Sequence, residues 1–502
     1  MKKVKQISYM SALIIIIGST VGAGIFFKNG ELFKQGQGSF WFVISAWLVA
    51  GVAMIALGLA IVEMATASKT NRGTLEWFKN FMPRWMSRSS KNYVQLIFIP
   101  ITLFTMPLYV VETWEEAGLF LANDWYAWMM GIAVFAWIAG ISFISLKASE
   151  RLQWVLTAIK FLPVILLPLI ALSSAGMFKD PAVSITDHSS AVENKTGLLG
   201  IAPAIVLIGG IPAISFAFDG FYEVSSLRND LKNPKSMGPI VVVGVSIILA
   251  IYIFITVAFA MGTDDGTLDS LSTMSEQTRE KWNVLVGIGI IGIVNGYMMG
   301  SVEQNSSLEE EGEAPILKAQ RWLLKKLGFK TLSTRVNAWI FIVLGTLLFF
   351  LILGPIGIYG WNENSYDYNA GNTGMLYSFA DIIVNYTSAL MFGLIAIAII
   401  GAMFNRFSKK VKVERSKLFW PAAIIGTTII LAGVLFQIII GIVDSTGYND
   451  ANVQDAVIEL AIFGGILAIS IIAGIIEHHM WDENKHKMLS KDTELPSVVK
   501  SA

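Results

Sequence analysis

The sequence predicts an all-α integral membrane protein with 12 transmembrane helices, the first and sixth of them discontinuous. Three observations carry this reading. The 502-residue chain is 54% hydrophobic and 15% charged, with a mean hydropathy of +0.61, whereas an ordinary soluble domain has about 25% charged residues. Apolar stretches long enough to cross a bilayer as a helix, about 20 residues, recur along its length. Two of these stretches carry helix breakers near their middle: Gly18, Gly22 and Gly24 in LIIIIGSTVGAGIFF, and Gly220 in IPAISFAFDGFYEV.

The expected spans are 8–27, 41–66, 93–111, 126–146, 152–176, 201–222, 238–262, 282–302, 336–357, 377–403, 418–443 and 455–477. MKKVKQISYM leads into the first span without a small-residue cleavage signature, so that span is read as a retained helix. The second closes on Glu63. The third carries Pro100 and Pro107, the fifth Lys160, and the sixth Pro212 and Asp219. The remaining spans are assigned no comparable break; Asp381, near the outer end of the tenth, is after Asp219 a weaker second candidate for selecting a cationic substrate and otherwise reads as an interfacial residue.

Basic residues orient these spans. Of 37 lysines and arginines, 30 fall in segments on the side of the N-terminus and 6 on the other side. By the positive-inside rule both termini are expected in the cytoplasm of a multi-pass cell (plasma) membrane protein. The remaining cation is Lys160, nine residues beyond Arg151 and therefore about 13 Å along the helix axis, near mid-bilayer. An ionisable residue at that depth reads as functional, and a lysine taken out of water gives up its proton more readily. Lys160 is thus the candidate for proton coupling.

The two breaks suggest what the spans enclose. Glycine costs a helix roughly 1 kcal/mol relative to alanine, and unwound backbone at membrane depth is tolerated only where protein or a water-lined cavity receives it. Interrupted helices at corresponding places in two halves of a chain point to the site of an inverted-repeat secondary transporter. Here the repeat is inferred from spacing alone. A break at Gly22-Ala23-Gly24 leaves amides at the positive end of a half-helix, suited to an anion. A break from Phe216 to Asp219 offers carbonyls, suited to an ammonium. The α-amino acids carry both groups a few ångströms apart.

At these residues the chain resembles the amino acid–polyamine–organocation (APC) superfamily. Gly18-Ser19-Thr20-Val21-Gly22-Ala23-Gly24-Ile25-Phe26 resembles its first-helix signature, and Val62-Glu63-Met64-Ala65 its second-helix ending. Gln153, Thr157 and Lys160 resemble its fifth-helix pattern. Phe216-Ala217-Phe218-Asp219-Gly220-Phe221, with Asp230, Asn233 and Pro234, resembles its sixth-helix signature and exit loop. The resemblance implies a leucine-transporter-like fold, a 5+5 inverted repeat plus two C-terminal helices. It implies a substrate carboxylate on the amides of Gly22, Ala23 and Gly24. The amine would meet carbonyls near Thr20, Phe216, Ala217 and Asp219, with Phe216 as an aromatic gate and Lys160 implying proton coupling or exchange. Glu63, Gly220 and Tyr222 take gating or structural roles. Tyr222 departs from the family, which usually has glutamate there, and an acid follows at Glu223. Asp219 also departs from it: either it selects a cationic amino acid by charge pairing, or it pairs with Lys160 or a helix N-terminus and never touches substrate.

In domain terms, 1–7 is a cytoplasmic N-terminus and 8–403 the transporter core, with repeats at about 8–176 and 201–403. Helices 11 and 12 occupy 404–477, and 478–502 is a charged tail. The loop SSLEEEGEAPILKAQRWLLKKLGFK is expected to hold an amphipathic helix on the membrane surface. With no cysteine, a disulfide-linked partner is excluded. Zero net charge argues against nucleic acid. No phosphate loop, nucleophile triad or metal-ligand spacing is present, so no cofactor, metal or enzymatic activity is expected. The expected partners are a small-molecule amino acid and the lipid bilayer. Polyamine exchange and non-transporting amino-acid sensing remain the alternatives, and the sequence leaves the oligomeric state undetermined.

Overall fold

The computed structural model describes residues 7–22, 24–68, 73–120, 123–174, 203–222, 228, 231–262, 275–329, 332–362, 374–447 and 453–492. Ten of its helical stretches are long and apolar enough to cross a membrane, and a bent helix pair at the N-terminus makes up to 11. That pair is α1 (Tyr9–Thr20) and α2 (Gly24–Gln35), which meet at 49°. Ser8 starts α1 by accepting from the Ser11 amide at 3.1 Å. The Val21 amide closes it on the Ile17 carbonyl at 2.9 Å.

α3 (Phe40–Ala65) starts at the Ser39 cap. A short helix, α4 (Thr74–Phe81), precedes a continuous rod of α5 (Arg84–Tyr93), a π-helical turn at Val94–Phe98 and α6 (Ile99–Glu116). α7 (Asp124–Ile144) starts where the Asn123 side chain accepts from the Trp125 and Tyr126 amides. α8 (Leu146–Ser174) carries Lys160. In the region of the sixth expected span lie two short helices, α9 (Pro203–Gly209) and α10 (Ile211–Ala217). α11 (Met237–Gly262), α12 (Glu276–Glu310), α13 (Pro315–Lys326), α14 (Thr334–Gly360), α15 (Met375–Ser408), α16 (Phe419–Asp444) and α17 (Val453–Asp492) complete the chain.

α6 is the centre of the bundle. In the apolar window of Arg84–Glu116, 94% of the residues are buried, against 22% in that of α17 and 28% in that of α16. α6 packs along α12, which also lines α8; α3 lies between α11 and α16; α10 rests on α15 and α2. Polar pairs fasten the interior, Gln95 to Asn305 at 2.7 Å and Asn295 to Gln153 at 2.7 Å. Buried side-chain amides without partners would each forfeit a desolvation penalty of about 1–3 kcal/mol, so these pairs set helix register.

Several boundaries differ from those expected. Arg84, Arg88 and Lys91 belong to the third crossing rod and not to a connecting segment. Lys91 is paired with Glu477, and Arg88 contacts His478 Nδ1 at 2.9 Å, so the helix can extend while its cations stay partnered. The eighth span runs the full length of α12. The last helix passes residue 477 and continues to Asp492, so 478–492 is helical; no glycine or proline interrupts it between Gly474 and Pro496. α13 is the helix expected in the loop after α12. Lys28, one residue past the expected end of the first span, lies in α2 and is buried.

Candidate functional site

The N-terminal end of α2 and the C-terminal end of α10 are in direct contact. A Cβ at Gly24 would sit 2.8 Å from the Ala217 Cα and 3.2 Å from its Cβ, so only glycine allows the two ends this close. Gly220 has φ +94°, a left-handed conformation in which a Cβ would also meet the Ser19 carbonyl oxygen at 2.9 Å. Both constraints hold the segment between α1 and α2 against the end of α10 and the turn after it. Ser19 Oγ adds hydrogen bonds to the carbonyls of Ile16 at 3.1 Å and Gly220 at 3.3 Å.

Tyr252 of α11 joins the end of α10 to the end of α1. Its hydroxyl donates to the Ala217 carbonyl at 2.6 Å and lies 3.3 Å from that of Thr20. These are backbone oxygens at the C-terminal ends of α10 and α1, where carbonyls lack intrahelical partners and carry negative dipole. Thr20 is itself buried, and its Oγ1 has no hydrogen-bond partner among the described residues. Gly22 faces Ile293 of α12. Ala23, between them, lies outside the described residues, as do Glu223 and Asp230.

Lys160 reaches the first interruption from behind. Its ammonium donates to the Gly18 carbonyl, and its stem packs where Gly289 leaves room, a Cβ there falling 2.8 Å from the Lys160 Cβ. Lys160 and Asp219 are not each other's partners. Asp219 Oδ1 accepts from the Gly220 amide at 2.9 Å and the Tyr222 hydroxyl at 2.6 Å, and Oδ2 accepts from the Tyr297 hydroxyl at 2.5 Å. The partners of Asp219 are thus two tyrosines and the neighbouring amide, where the sequence suggested Lys160 or a helix N-terminus.

Phe216 lies in a charged environment that the sequence reading missed. Its ring stands 6.1 Å from that of Tyr109 and 5.4 Å from the ammonium of Lys28. Lys28 is paired with Glu31 at 2.9 Å and Asp381 at 2.8 Å. Asp381 is therefore an internal ion-pair partner, not an interfacial residue, and it also accepts from the Tyr109 hydroxyl. Glu63 lies apart from all of this. Its carboxylate holds Arg406 as a two-pronged ion pair, with Nε at 2.9 Å, and accepts from the Ser416 amide at 2.7 Å.

The architecture is that of a multi-pass membrane protein in which the start of α2 meets the end of α10. A family model described as amino acid permease matches residues 7–467. The chain belongs to that family, whose members are transporters and not enzymes. Over 478 residues it is 29% identical to an uncharacterised protein of Mycoplasma pneumoniae, spanning 86% of this chain and 84% of the other. It is 25% identical over 322 residues to the serine/threonine exchanger SteT of Bacillus subtilis, covering 62% of this chain and 69% of that one. A crystal structure of a mutant manganese transporter from Eremococcus coleocola superposes with a TM-score of 0.52 at 10% identity, covering 93% and 95% of the two chains, a likeness of fold alone.

Proposed function

We propose that this protein is a secondary transporter that carries α-amino acids by alternating access, binding them between two interrupted helices. The substrate carboxylate meets the amides of Gly22, Ala23 and Gly24, and its ammonium meets the carbonyls of Thr20, Phe216 and Ala217, with Phe216 over the ligand. The observation that carries this reading is the close approach of Gly24 to Ala217, with Tyr252 bridging the carbonyls of Ala217 and Thr20. It brings the amide-rich start of one half-helix beside the carbonyl-rich ends of two others, the polarity that a zwitterion needs.

In this reading α1 and α2 are one broken crossing helix and α9, α10 and the turn after them another, giving 12 crossings in two inverted sets of five plus α16 and α17. The ion pairs support that path. Lys79–Glu313, Lys91–Glu477, Arg228–Glu414 and Glu63–Arg406 each join two segments assigned to the cytoplasmic side. The bundle of crossings 1, 2, 6 and 7 rocks against the scaffold of 3, 4, 8 and 9. Lys160, tied to Gly18, is placed to couple its own charge state to the first interruption. The hydrogen bonds that engage Asp219 support a neutral side chain on the substrate over the cationic one its charge suggests in isolation.

The test is uptake into proteoliposomes of labelled serine, leucine, glutamate and arginine, with and without a pH gradient. Uptake of a neutral amino acid is expected, with a pH response that Lys160→Ala abolishes. Failure to move any of the four contradicts the proposal; preferential arginine uptake would favour the cationic reading.

A further inference from the structure

We propose that Lys28 is a built-in counter-ion that sets the charge selectivity of the transporter by occupying the cation position beside Phe216. This rests on the reading of the site as an amino-acid site and deepens it. The argument begins with placement. Lys28 lies four residues beyond Gly24, one turn or about 6 Å along α2 from the amides assigned to the substrate carboxylate. Its ammonium stands 5.4 Å from the centre of the Phe216 ring, the side chain assigned to cover the ligand.

The position is one built for a cation. Two carboxylates converge on the ammonium, Glu31 from the same helix and Asp381 from α15. Tyr109 of α6 donates to Asp381, and Asn385 of α15 donates to Glu31 at 3.1 Å, so both acids are oriented by neighbours on other helices. An aromatic face completes the set, at a distance where a ring attracts a cation. The lysine is fully buried while its two acids retain about a quarter of their side-chain exposure, so the carboxylates remain reachable when the ammonium is removed. With Lys28 in place, two acids are offset by one fixed cation, and a second cation brought in on a substrate side chain finds its position filled. With Lys28 neutralised, the same two carboxylates and ring form a vacant cation subsite one helical turn from the amino-acid site, in surroundings where charges are poorly screened.

Uptake of labelled serine and labelled arginine by the parent, Lys28→Met and Lys28→Met/Asp381→Asn in proteoliposomes tests this. The arginine-to-serine uptake ratio is expected to rise at least about tenfold in Lys28→Met and to fall back toward the parent in the double variant. A folded Lys28→Met protein whose ratio matches the parent overturns the proposal, and serine uptake by the parent in that experiment leaves the amino-acid site standing. If the parent moves neither compound, both readings fall. A second measurement needs no variant: excess external arginine is expected to leave serine uptake by the parent unchanged, and competition by arginine as strong as that of unlabelled serine overturns the assignment.

Discussion

At the residue scale, the ends of α1 and α10 and the start of α2 were legible because glycine in an apolar run is costly and must be explained. Gly18, Gly22, Gly24 and Gly220 all fall where α1 ends, α2 begins or the chain turns after α10. Their partners were not legible. Tyr252 sits in a uniformly apolar stretch, AIYIF, where an aromatic reads as ordinary core, and its hydroxyl partners are backbone atoms some 35 and 232 positions away. Lys28 was hidden by the polar KNGELFKQGQG that follows it, which reads as loop, and its ion pair spans 353 positions. Glycine substitutions separate structural need from simple helix preference. Gly24→Ala forces a Cβ against the Ala217 backbone, and overpacking of this kind costs about 1–3 kcal/mol. Gly220→Ala adds an unfavourable left-handed conformation, about 1–2 kcal/mol. Both are expected to lower the thermal midpoint in detergent and to abolish uptake. Gly140→Ala, in α7 with open space around it, should instead raise the midpoint through helix propensity, by roughly 1 kcal/mol.

At the element scale, the ends of crossing helices are pinned by ion pairs of the kind that composition cannot assign. Glu63, expected to act structurally or in gating, links the end of α3 to the end of α15 and to the segment after it through Arg406 and Ser416. Glu63 is 2% exposed, and losing one partner of a buried pair typically costs about 3–5 kcal/mol because a charge is left alone. Glu63→Gln or Arg406→Met should therefore destabilise strongly, whereas the pair of substitutions together should cost less than their sum. Thermal unfolding of the three variants measures this; additive losses would show that the pair does not act as a unit. Helix ends themselves were the poorest part of the sequence reading. α5, α12 and α17 run well past their apolar windows, with Lys91 of α5 paired to Glu477 of α17 and Glu309 of α12 paired to Arg321.

At the scale of the whole molecule, hydropathy located the ten long apolar helices, because a bilayer imposes length on every crossing segment, while charge distribution set the sidedness expected of them. What they do not contain is which helices are central. The third crossing rod proved the most enclosed, a consequence of α6 packing against α7, α12, α14 and α15. The absence of cysteine makes sidedness directly measurable. Leu119 and Leu327 are exposed, at 56% and 67%, in segments assigned to opposite faces. In intact cells, Leu119→Cys should react with a membrane-impermeant maleimide and Leu327→Cys only after the membrane is opened; the reverse pattern would invert the topology. The central claim, that two interrupted helices hold the two charged ends of one amino acid, is tested most directly by blocking those ends singly. Against labelled serine entering proteoliposomes, free serine is expected to compete, while N-acetylserine and serine amide, each lacking one charge, fail to do so. Equal competition by all three would contradict it.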